Sequence, residues 1–418
     1  MIRKPRGTMD ILPAEAAKWR FVEQQARDTA ALFGFGEIRL PTFEATELFQ
    51  RGVGDATDVV QKEMYTFSDR GGDSFTLRPE GTAGTVRAVI ENGMYGQALP
   101  LKLFYVLNCF RYERPQAGRS REFFQFGAEI FGAPHASADA ELIALAAEML
   151  RRCGADESVW QLHINSIGCP VCRKDYHAAL YEYFASRADR LCDTCKTRLQ
   201  VNPMRILDCK CPQCQELTAD APRTVDYLCD DCKDHFHTLQ ELLTGMGLPF
   251  TVNPRIVRGL DYYTKTVFEF ITDRIGAQST VCGGGRYDGL VHELGGPAMC
   301  GLGFGMGLSR LLLLMEALGT ATPADPPCDV FFVSVGEKAA VQAQLLAHRL
   351  RSAGVSALAD TVGRSLKAQM KYADKLGARY TAVLGDDELA KGEVTLRSMA
   401  DGNTRVCALS TLSPADLA

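Results

Sequence analysis

Two long stretches of alternating residues, joined by a basic segment, constrain the fold of this chain more than any other feature. They span residues 101–112 and 122–131, and the segment 114–121 between them has the sequence Arg-Pro-Gln-Ala-Gly-Arg-Ser-Arg. Alternation with a period of two is typical of a strand, whereas proline, glycine and serine favour a loop. The sequence therefore predicts an antiparallel pair of strands joined by a long basic loop.

The second predicted strand has two faces of different chemistry, because successive side chains of a strand point to opposite sides. One face is apolar and carries Phe124, Phe126, Ala128 and Ile130. The other face carries Gln125, Gly127 and Glu129. We expect the first face to pack and the second to bind a polar ligand.

The preceding strand adds a cation and a carboxylate, since Arg111 and Glu113 lie two residues apart and share a face. A strand face with this cation and this carboxylate could bind a phosphate and an amine together. The alternative is that these charges line the solvated face of an exposed sheet, as they do on most single strands.

The remaining pattern predicts helices around this sheet and a second domain after it. Apolar residues at spacings of three and four predict a helix after Pro13, a helix capped by Ser137 and a helix over 306–318. Prolines at 323, 326 and 327 mark a linker. Beyond it, strands and helices alternate, which predicts a small α/β domain with a mostly parallel or mixed sheet.

Charge and cysteine content limit the class of protein. The 418 residues carry a net charge of −5, so contact with a nucleic acid would depend on local basic patches. The basic N-terminus is followed by no apolar run, and no stretch is long and apolar enough to span a bilayer. Of fifteen cysteines, nine lie between Cys169 and Cys232, mostly in pairs, which favours reduced thiols or metal ligands. We predict a cytoplasmic protein that does not bind a membrane.

Four Cys-x-x-Cys pairs dominate this cysteine-rich segment, and such spacing can place two thiolates on one zinc ion. Two tetrahedral sites could be built from the paired cysteines Cys169, Cys172, Cys192, Cys195, Cys211, Cys214, Cys229 and Cys232. The alternative is a set of reduced thiols in a domain that folds without metal, and the sequence leaves open whether Cys209 or Cys211 is spare. Sites with four cysteine ligands are closed to water, so this zinc would be structural.

Three segments resemble the signature motifs of class II aminoacyl-tRNA synthetases. Residues 34–41 are similar to motif 1, which forms the dimer, residues 110–129 are similar to motif 2, and residues 303–310 are similar to motif 3. Two further segments are typical of histidyl-tRNA synthetases alone: Arg-Gly-Leu-Asp-Tyr-Tyr-Thr at 258–264 and Gly-Gly-Gly-Arg-Tyr-Asp at 283–288. The segment Leu-Arg-Pro-Glu-Gly-Thr at 77–82 matches that family as well, and the resemblance extends over nearly the whole chain.

The resemblance implies a role for individual residues. Those implied to bind histidine are Glu80, Thr82, Gln125, Glu129, Tyr262, Tyr263 and Tyr287. Those implied to bind ATP are Arg111, Glu113, Arg119 and Arg310. Arg258 and Arg111 are the implied catalytic residues, because an arginine at the position of Arg258 contacts the α-phosphate in this family. Asp261 is implied to orient Arg258.

The resemblance also implies an architecture. The expected fold is α+β: a class II antiparallel sheet flanked by helices, a helical cysteine-rich insertion domain, and a C-terminal α/β anticodon-binding domain. The expected bounds are 1–165 and 249–322 for the catalytic core, 166–248 for the insertion and 328–418 for the anticodon-binding domain. The implied partners are L-histidine, ATP with Mg²⁺, tRNA(His) and a second copy of the chain.

Two other functions are alternatives to this ligase. One is a catalytically inactive paralogue that acts as a regulatory subunit of ATP phosphoribosyltransferase, but such paralogues lack the anticodon-binding domain and the segment around Arg258. The other is a zinc-bearing RNA-binding module, which predicts loss of the polar pocket residues. Gln125, Glu129, Tyr263 and Arg310 are all present. The sequence therefore favours the ligase.

Overall fold

A computed structural model describes residues 2–54, 57, 59–209, 211–257, 260, 262–276, 279–323 and 328–417. The chain divides into two compact units, Met1–Pro323 and Ala324–Ala418. The boundary coincides with the start of the proline-containing segment that the sequence marks as a linker.

The strands of the first unit have the following bounds in chain order: β1 Gly36–Glu37, β2 Phe43–Ala45, β3 Tyr65–Ser68, β4 Ser74–Leu77, β5 Leu101–Phe110, β6 Glu122–Phe131, β7 Gln161–Ser166, β8 Phe250–Val252, β9 Thr264–Ile271, β10 Thr280–Arg286 and β11 Gly301–Gly307. Its helices are α1 Pro13–Leu32, α2 Thr46–Val53, α3 Thr82–Glu91, α4 Ala136–Arg152, α5 Pro170–Ala185, α6 Asp193–Val201, α7 Pro212–Thr218, α8 Asp230–Gly245, α9 Leu290–Glu293 and α10 Leu308–Leu318.

An eight-stranded sheet forms the centre of this unit, in the order β1-β5-β6-β11-β10-β9-β7-β8. The pairs from β5 through β7 are antiparallel, while β1 pairs with β5 and β8 pairs with β7 in parallel. The small strands β2, β3 and β4 form a separate three-stranded sheet. The predicted antiparallel pair is therefore β5 and β6, the second and third strands of the larger sheet.

The apolar face of β6 packs as predicted, since Phe126, Ala128 and Ile130 are fully buried in the main hydrophobic core. Helices α1, α4 and α10 cover this face, with apolar residues at spacings of three and four turned inward. Trp19 of α1, for example, packs against Phe124 with ring centroids 4.9 Å apart. The opposite face of β6, which carries Gln125 and Glu129, is left for the site described below.

Three predicted bounds differ from the structure. Strand β5 ends at Phe110, and the pairing stops after Arg111 because the Tyr112 amide donates to the Glu63 carbonyl at 2.7 Å instead of to the opposite strand. Helix α4 begins at Ala136 with His135 at its N-cap, so Ser137 is not the cap. Helix α10 begins only at Leu308, because the glycine-rich residues before it extend as β11. Short polar and glycine-rich segments are where periodicity is least informative.

The insertion consists of α5, α6, α7 and the start of α8, linked by short turns. Its apolar residues Tyr176, Leu180, Phe184 and Leu199 belong to one hydrophobic cluster. That cluster also contains Tyr262, Tyr263 and Tyr287 of the main sheet region. The insertion therefore shares a core with residues implied to bind histidine.

The second unit is a small α/β domain. Its elements are β12 Val330–Ser334, α11 Glu337–Ser352, β13 Ala357–Ala359, α12 Leu366–Lys375, β14 Tyr380–Leu384, α13 Asp386–Lys391, β15 Glu393–Ser398 and β16 Thr404–Ala408. The sheet order is β13-β12-β14-β15-β16, with parallel pairs followed by antiparallel ones. This confirms the predicted mixed sheet. Among the described residues, no helix has the length and apolar character needed to cross a membrane.

Candidate active site

A cavity lies among β6, β10, β11 and the loops beside them. Nine of the residues predicted to bind substrates line it: Glu80, Thr82, Arg111, Glu113, Arg119, Gln125, Tyr262, Tyr263 and Arg310. Their polar groups form two sets, one around carboxylates and one around arginines.

The first set centres on Glu129, which lies behind the cavity wall and is fully buried. The Thr82 hydroxyl donates to Glu129 Oε1 at 2.8 Å and the Tyr105 hydroxyl donates to the same oxygen at 3.0 Å. The Tyr287 hydroxyl donates to Oε2 at 2.5 Å. Three hydroxyl donors thus hold one carboxyl group in a fixed orientation, because a buried polar group needs its hydrogen bonds.

Glu80 provides a second buried carboxylate in the same set and fixes the start of α3. Its two oxygens accept the backbone amides of Ala83 at 2.7 Å and of Thr82 at 2.8 Å. A carboxylate at a helix N-terminus satisfies amides that have no partner within the helix and interacts favourably with the helix dipole. Helix α3 thereby places Thr82, in its first turn, beside Glu129.

Burial controls the ionisation of both carboxyl groups. It raises the pKa of Glu129 to about 8, against the lowering effect of hydrogen bonds from Tyr287, Thr82 and Tyr105. Burial also raises the pKa of Glu80, although the amides of Ala83 and Thr82 and the charge of Arg111 oppose it. A nearby cation would therefore stabilise the ionised form of both groups.

Glycines in neighbouring strands leave room for these side chains. Gly127 pairs with Tyr105 across β5 and β6, and a Cβ at Gly127 would overlap the Tyr105 ring. Gly303 pairs with Glu129 across β6 and β11, and a Cβ there would overlap the Glu129 carboxylate. A Cβ at Gly305 would likewise overlap the Gln125 amide. The glycines of motif 3 thus make space for polar side chains of motif 2.

The second set consists of arginines around the basic loop. Arg310 donates from Nε to the Gly118 carbonyl at 2.9 Å and from a terminal nitrogen to the Thr280 carbonyl at 2.6 Å. Arg119 forms a bidentate ion pair with Glu113. Arg111 donates from Nε to the Pro79 carbonyl at 2.9 Å and lies over the Phe123 ring. Each guanidinium group is therefore held by the protein in a defined position.

Positive charges converge in this second set. Burial lowers the pKa of Arg310, and the neighbouring charges of Arg119 and Arg111 lower it further, while Glu113 and Glu269 oppose them. A site where cations lower the pKa of another cation favours an anion. Planar guanidinium groups bind the oxygens of phosphate especially well.

The cysteines of the insertion form two groups. One consists of Cys169, Cys172, Cys229 and Cys232, and the other of Cys192, Cys195, Cys209 and Cys214. The structure differs from the sequence-based ligand set at one position, because Cys209 and not Cys211 joins the second group. Cys211 is the N-cap of α7, and its backbone amide donates to Cys209 Sγ at 3.4 Å. The turn that follows Ile206 brings the Cys209 sulfur inward instead.

Comparison with known proteins decides the family. Residues 7–311 match the family model described as "Histidyl-tRNA synthetase", which covers more than half of the chain. The chain belongs to the histidyl-tRNA synthetase family. Residues 329–415 match the model described as "Anticodon binding domain", so the second unit has the fold expected for it.

Individual members of the family agree with this chain over nearly its whole length. The histidine–tRNA ligase of Clostridioides difficile is 54% identical over 413 residues, which cover 99% of this chain and 98% of that one. The ligase of Caldanaerobacter subterraneus subsp. tengcongensis is 53% identical over 402 residues, 96% of each. The solved apo histidyl-tRNA synthetase of S. aureus has a TM-score of 0.83 at 39% identity and covers 98% of both chains. The expected class II architecture is confirmed.

The residues predicted for the family's substrates fall in three places. Glu129 and Tyr287 are buried directly behind the cavity wall, joined by their hydrogen bond. The other described residues of the prediction line the cavity itself. Arg258 and Asp261 lie outside the described residues, and their roles remain predictions from the family resemblance.

Tyr105 is a site residue that the sequence-based prediction missed. It is almost fully buried, lines the cavity and donates to Glu129. The sequence does contain a hint of this contact, because Tyr105 lies in one predicted strand and Gly127, a residue with no side chain, lies in the strand that pairs with it. Only the register of β5 on β6, however, sets the two residues opposite each other.

Substitution of Gly303 tests whether the KM for histidine depends on the space that this glycine leaves beside the Glu129 carboxylate. We expect Gly303→Ala to raise the KM for histidine at least about tenfold, since overpacking of this kind costs about 1–3 kcal/mol and displaces the Glu129 carboxylate. The rate of pyrophosphate exchange, measured over a range of histidine concentrations, gives this KM. The control is Gly96→Ala, where the added Cβ has no atom within 4 Å. An unchanged KM in the first variant would show that the carboxylate position is unimportant.

Proposed function

We propose that this chain activates L-histidine with ATP to give histidyl-adenylate and transfers the histidyl group to the 3′ end of tRNA(His). The observation that carries the proposal is a single cavity that brings buried carboxyl groups and several arginines together. Carboxylates and hydroxyls suit the ammonium and imidazole of histidine, and guanidinium groups suit the phosphates of ATP. Membership of the family supports the same reaction.

The carboxylate set is the proposed histidine site. Its members are Glu80, Thr82, Gln125, Glu129, Tyr262, Tyr263 and Tyr287. Glu80, Gln125 and Tyr263, which line the cavity, contact the ammonium and the imidazole. The buried Glu129 carboxylate behind the cavity wall balances the charge of the ammonium. The Tyr262 ring packs at a tilt against Tyr263 and edge to face against Tyr287, with ring centroids 4.6 Å and 5.6 Å apart, which gives the site an aromatic wall.

The arginine set is the proposed ATP site. Arg119 and Arg310 hold the outer phosphates, Glu113 lies near the adenine, and Arg111 lies where the histidine carboxylate meets the α-phosphate. In the first step a carboxylate oxygen attacks the α-phosphorus and pyrophosphate leaves. Charge then collects on the equatorial oxygens, where Arg111 and Arg258 stabilise it.

Mg²⁺ is the metal that such a reaction uses with ATP, and its preferred ligands are carboxylate and phosphate oxygens. The Glu269 carboxylate, near Arg310, fits that preference and accepts a hydrogen bond from the Thr280 hydroxyl at 3.4 Å. When bound, the ion neutralises charge on the outer phosphates. The arginines of this chain orient those phosphates in line with the attacking carboxylate.

The second step joins histidine to RNA, when the terminal ribose hydroxyl attacks the adenylate carbonyl and AMP leaves. We assign tRNA binding in part to residues 363–371 of the second unit. Lys367 and Lys371 are exposed one turn apart on α12, a position suited to backbone phosphates. Splayed anticodon bases would then provide specificity.

We also propose that the protein is a cytoplasmic homodimer. Strand β1 lies in the motif 1 segment and forms one edge of the eight-stranded sheet among the described residues. An edge strand within the motif that forms dimers in class II synthetases can contact a second copy of the chain. Light scattering of the purified protein measures its mass in solution.

A regulatory subunit of ATP phosphoribosyltransferase is the alternative. The matched anticodon-binding domain at 329–415 argues against it, as does the segment around Arg258 in the sequence. Histidine-dependent exchange of pyrophosphate into ATP separates the two functions. Pyrophosphate exchange supports the ligase function, whereas a well-folded protein that shows no exchange would overturn the proposal.

Arg258→Ala tests the residue expected to contribute most to the chemical step. Loss of one charge-stabilising donor typically lowers kcat by about 10²–10³-fold, and we expect that reduction in pyrophosphate exchange with little change in the KM for histidine. The matched control is Arg255→Ala, because Arg255 is exposed three residues earlier. If Arg258→Ala exchanges like the unmodified protein, the role assigned to Arg258 is wrong.

A further inference from the structure

The two cysteine groups of the insertion have the geometry of metal sites. Within each group the four sulfur atoms lie within 4.8 Å of one another. Four ligands at a zinc–sulfur distance of about 2.3 Å would form a tetrahedron with edges of about 3.8 Å. Sulfur separations in the first group are 3.6 Å for Cys169–Cys172, 3.9 Å for Cys169–Cys229 and 3.2 Å for Cys172–Cys229. In the second group, Cys192 and Cys209 are 3.9 Å apart.

These separations are far from a disulfide, whose sulfur atoms lie about 2.05 Å apart, and all eight cysteines are free. Sulfur atoms gathered in fours from distant parts of the chain are not a feature of ordinary packing. The first group joins residues 60 positions apart, from the start of α5 to the start of α8. The second joins α6 and α7 through the turn at Cys209.

The local backbone favours thiolates. Cys169, Cys192 and Cys229 are the N-caps of α5, α6 and α8, so the positive ends of these helix dipoles face the sulfur groups. Backbone amides point at sulfur too: Cys229 N lies 3.1 Å from Cys172 Sγ, and Cys192 N lies 3.3 Å from Cys214 Sγ. Four adjacent thiolates repel one another unless a cation is bound between them.

We propose that each group binds one structural Zn²⁺ through four cysteine thiolates, with Cys209 as a ligand and Cys211 outside both sites. Four sulfur ligands in tetrahedral positions suit zinc, which has no preference for higher coordination in such sites. Each thiol binds as a thiolate and releases its proton to solvent. Both sites are closed, because all four positions are filled by protein.

The first zinc site also connects the insertion to the proposed histidine site. Next to Cys169, the backbone of residues 167 and 168 exchanges two hydrogen bonds with Lys265, of 2.8 Å and 2.9 Å. Lys265 has a φ of 48°, a conformation that a non-glycine residue adopts only when its surroundings hold it. Arg173, one residue after Cys172, donates to the carbonyl of Tyr263. The metal thereby fixes the segment that carries Tyr263, and this consequence rests on the proposed function.

Metal content of the full-length protein tests the two sites. Protein produced with zinc in the medium, purified without chelator and dialysed against metal-free buffer, is measured by inductively coupled plasma mass spectrometry. We expect two zinc ions per chain, one in Cys209→Ser and two in the matched control Cys211→Ser. Less than one zinc per chain, iron in place of zinc, or equal losses in the two variants would overturn the proposal.

Cobalt gives a second measurement if Cys209→Ser fails to fold. Unmodified protein reconstituted with Co²⁺ should show the thiolate-to-cobalt charge transfer and the intense d–d bands of a tetrahedral sulfur site, at two equivalents per chain. Weak octahedral bands would contradict closed tetrathiolate sites. Neither readout depends on catalysis, so a failure of the proposed function leaves them interpretable.

A comparison of two cysteine variants tests whether the first zinc site affects the proposed histidine site. Cys229→Ser removes a ligand of the first site and Cys209→Ser one of the second. We expect Cys229→Ser to raise the KM for histidine about fivefold or more with a smaller change in kcat, and Cys209→Ser to leave that KM within about twofold. Equal effects of both substitutions on this KM would exclude a specific connection through Tyr263.

Discussion

Glu129→Gln is expected to lower kcat/KM for histidine in pyrophosphate exchange by roughly 10²–10³-fold, because loss of one partner of a buried charge pair costs about 2–5 kcal/mol. Glutamine keeps the shape of the side chain and can still accept from the Thr82 and Tyr105 hydroxyls. It lacks the charge that would balance the histidine ammonium. Asp156→Asn, an exposed carboxylate in a turn, is the matched control, and equal activity of both variants would contradict an electrostatic role for Glu129.

The ionisation of Glu129 makes histidine binding depend on pH. Burial raises the pKa of its carboxyl group to about 8 in the absence of histidine, so at pH 7 the group is mostly protonated. A bound ammonium favours the carboxylate, and histidine binding should therefore release a proton and tighten as the pH rises from 6 to 8. Calorimetry in buffers of different ionisation enthalpy measures this proton. A binding enthalpy that is independent of the buffer would contradict it.

The same pKa predicts the sign of a stability effect. The folded-state pKa of Glu129 lies above the unfolded value of 4.5, so the carboxyl group loses its contribution to stability as the pH rises toward 8. Glutamine does not ionise. The melting temperature of Glu129→Gln, relative to the unmodified protein, should therefore increase from pH 5 to pH 8.

Arg286→Met is expected to lower the free energy of unfolding by about 3–5 kcal/mol, because it leaves a buried carboxylate without its cation. Arg286 is fully buried and forms an ion pair with Asp139, which is itself 2% exposed. The Arg286 guanidinium also donates to the carbonyls of Ala133 at 2.9 Å and His135 at 3.3 Å. Chemical denaturation at pH 7 measures the loss. The control Arg51→Met removes the exposed pair with Glu47 and should change stability by less than about 1 kcal/mol.

The Arg286 effect should also depend on pH. Burial alone would raise the pKa of Asp139, but His235 and Arg286 lower it overall. The contribution of Asp139 to stability is therefore present above its unfolded pKa near 3.8 and is lost as the pH falls through the lowered value. The difference between Arg286→Met and the unmodified protein should be largest near pH 7 and shrink as the pH falls, because protonation of Asp139 removes the charge that is left unpaired in the variant. A difference that grows in acid would exclude this ion pair as the cause.

Arg286 has a structural role that its place in a family motif does not indicate. The segment 283–288 is typical of the family, yet its arginine points into the interior and joins β10 to the start of α4. Its neighbour Tyr287, in contrast, donates to Glu129. Adjacent residues of one motif thus serve stability and the site respectively.

The sequence by itself determined the features that depend on local periodicity or on composition. Alternation in β6 predicted which side chains pack and which, including Gln125 and Glu129, face a polar site. The change from one pattern to another after residue 323 predicted the second unit. The Cys-x-x-Cys spacing predicted paired thiols.

Tertiary structure alone decided what depends on the pairing of distant segments. The register of β6 on β5 and β11 brings Tyr105 to Glu129 and makes Gly303 necessary beside it. The turn before α7 places Cys209, and not Cys211, beside the other three sulfur atoms of the second cysteine group. Both choices involve atoms far apart along the chain, whose distance is fixed only when backbone hydrogen bonds and core packing set the register. Residue spacing therefore predicts which groups are available, and the folded backbone determines which of them meet.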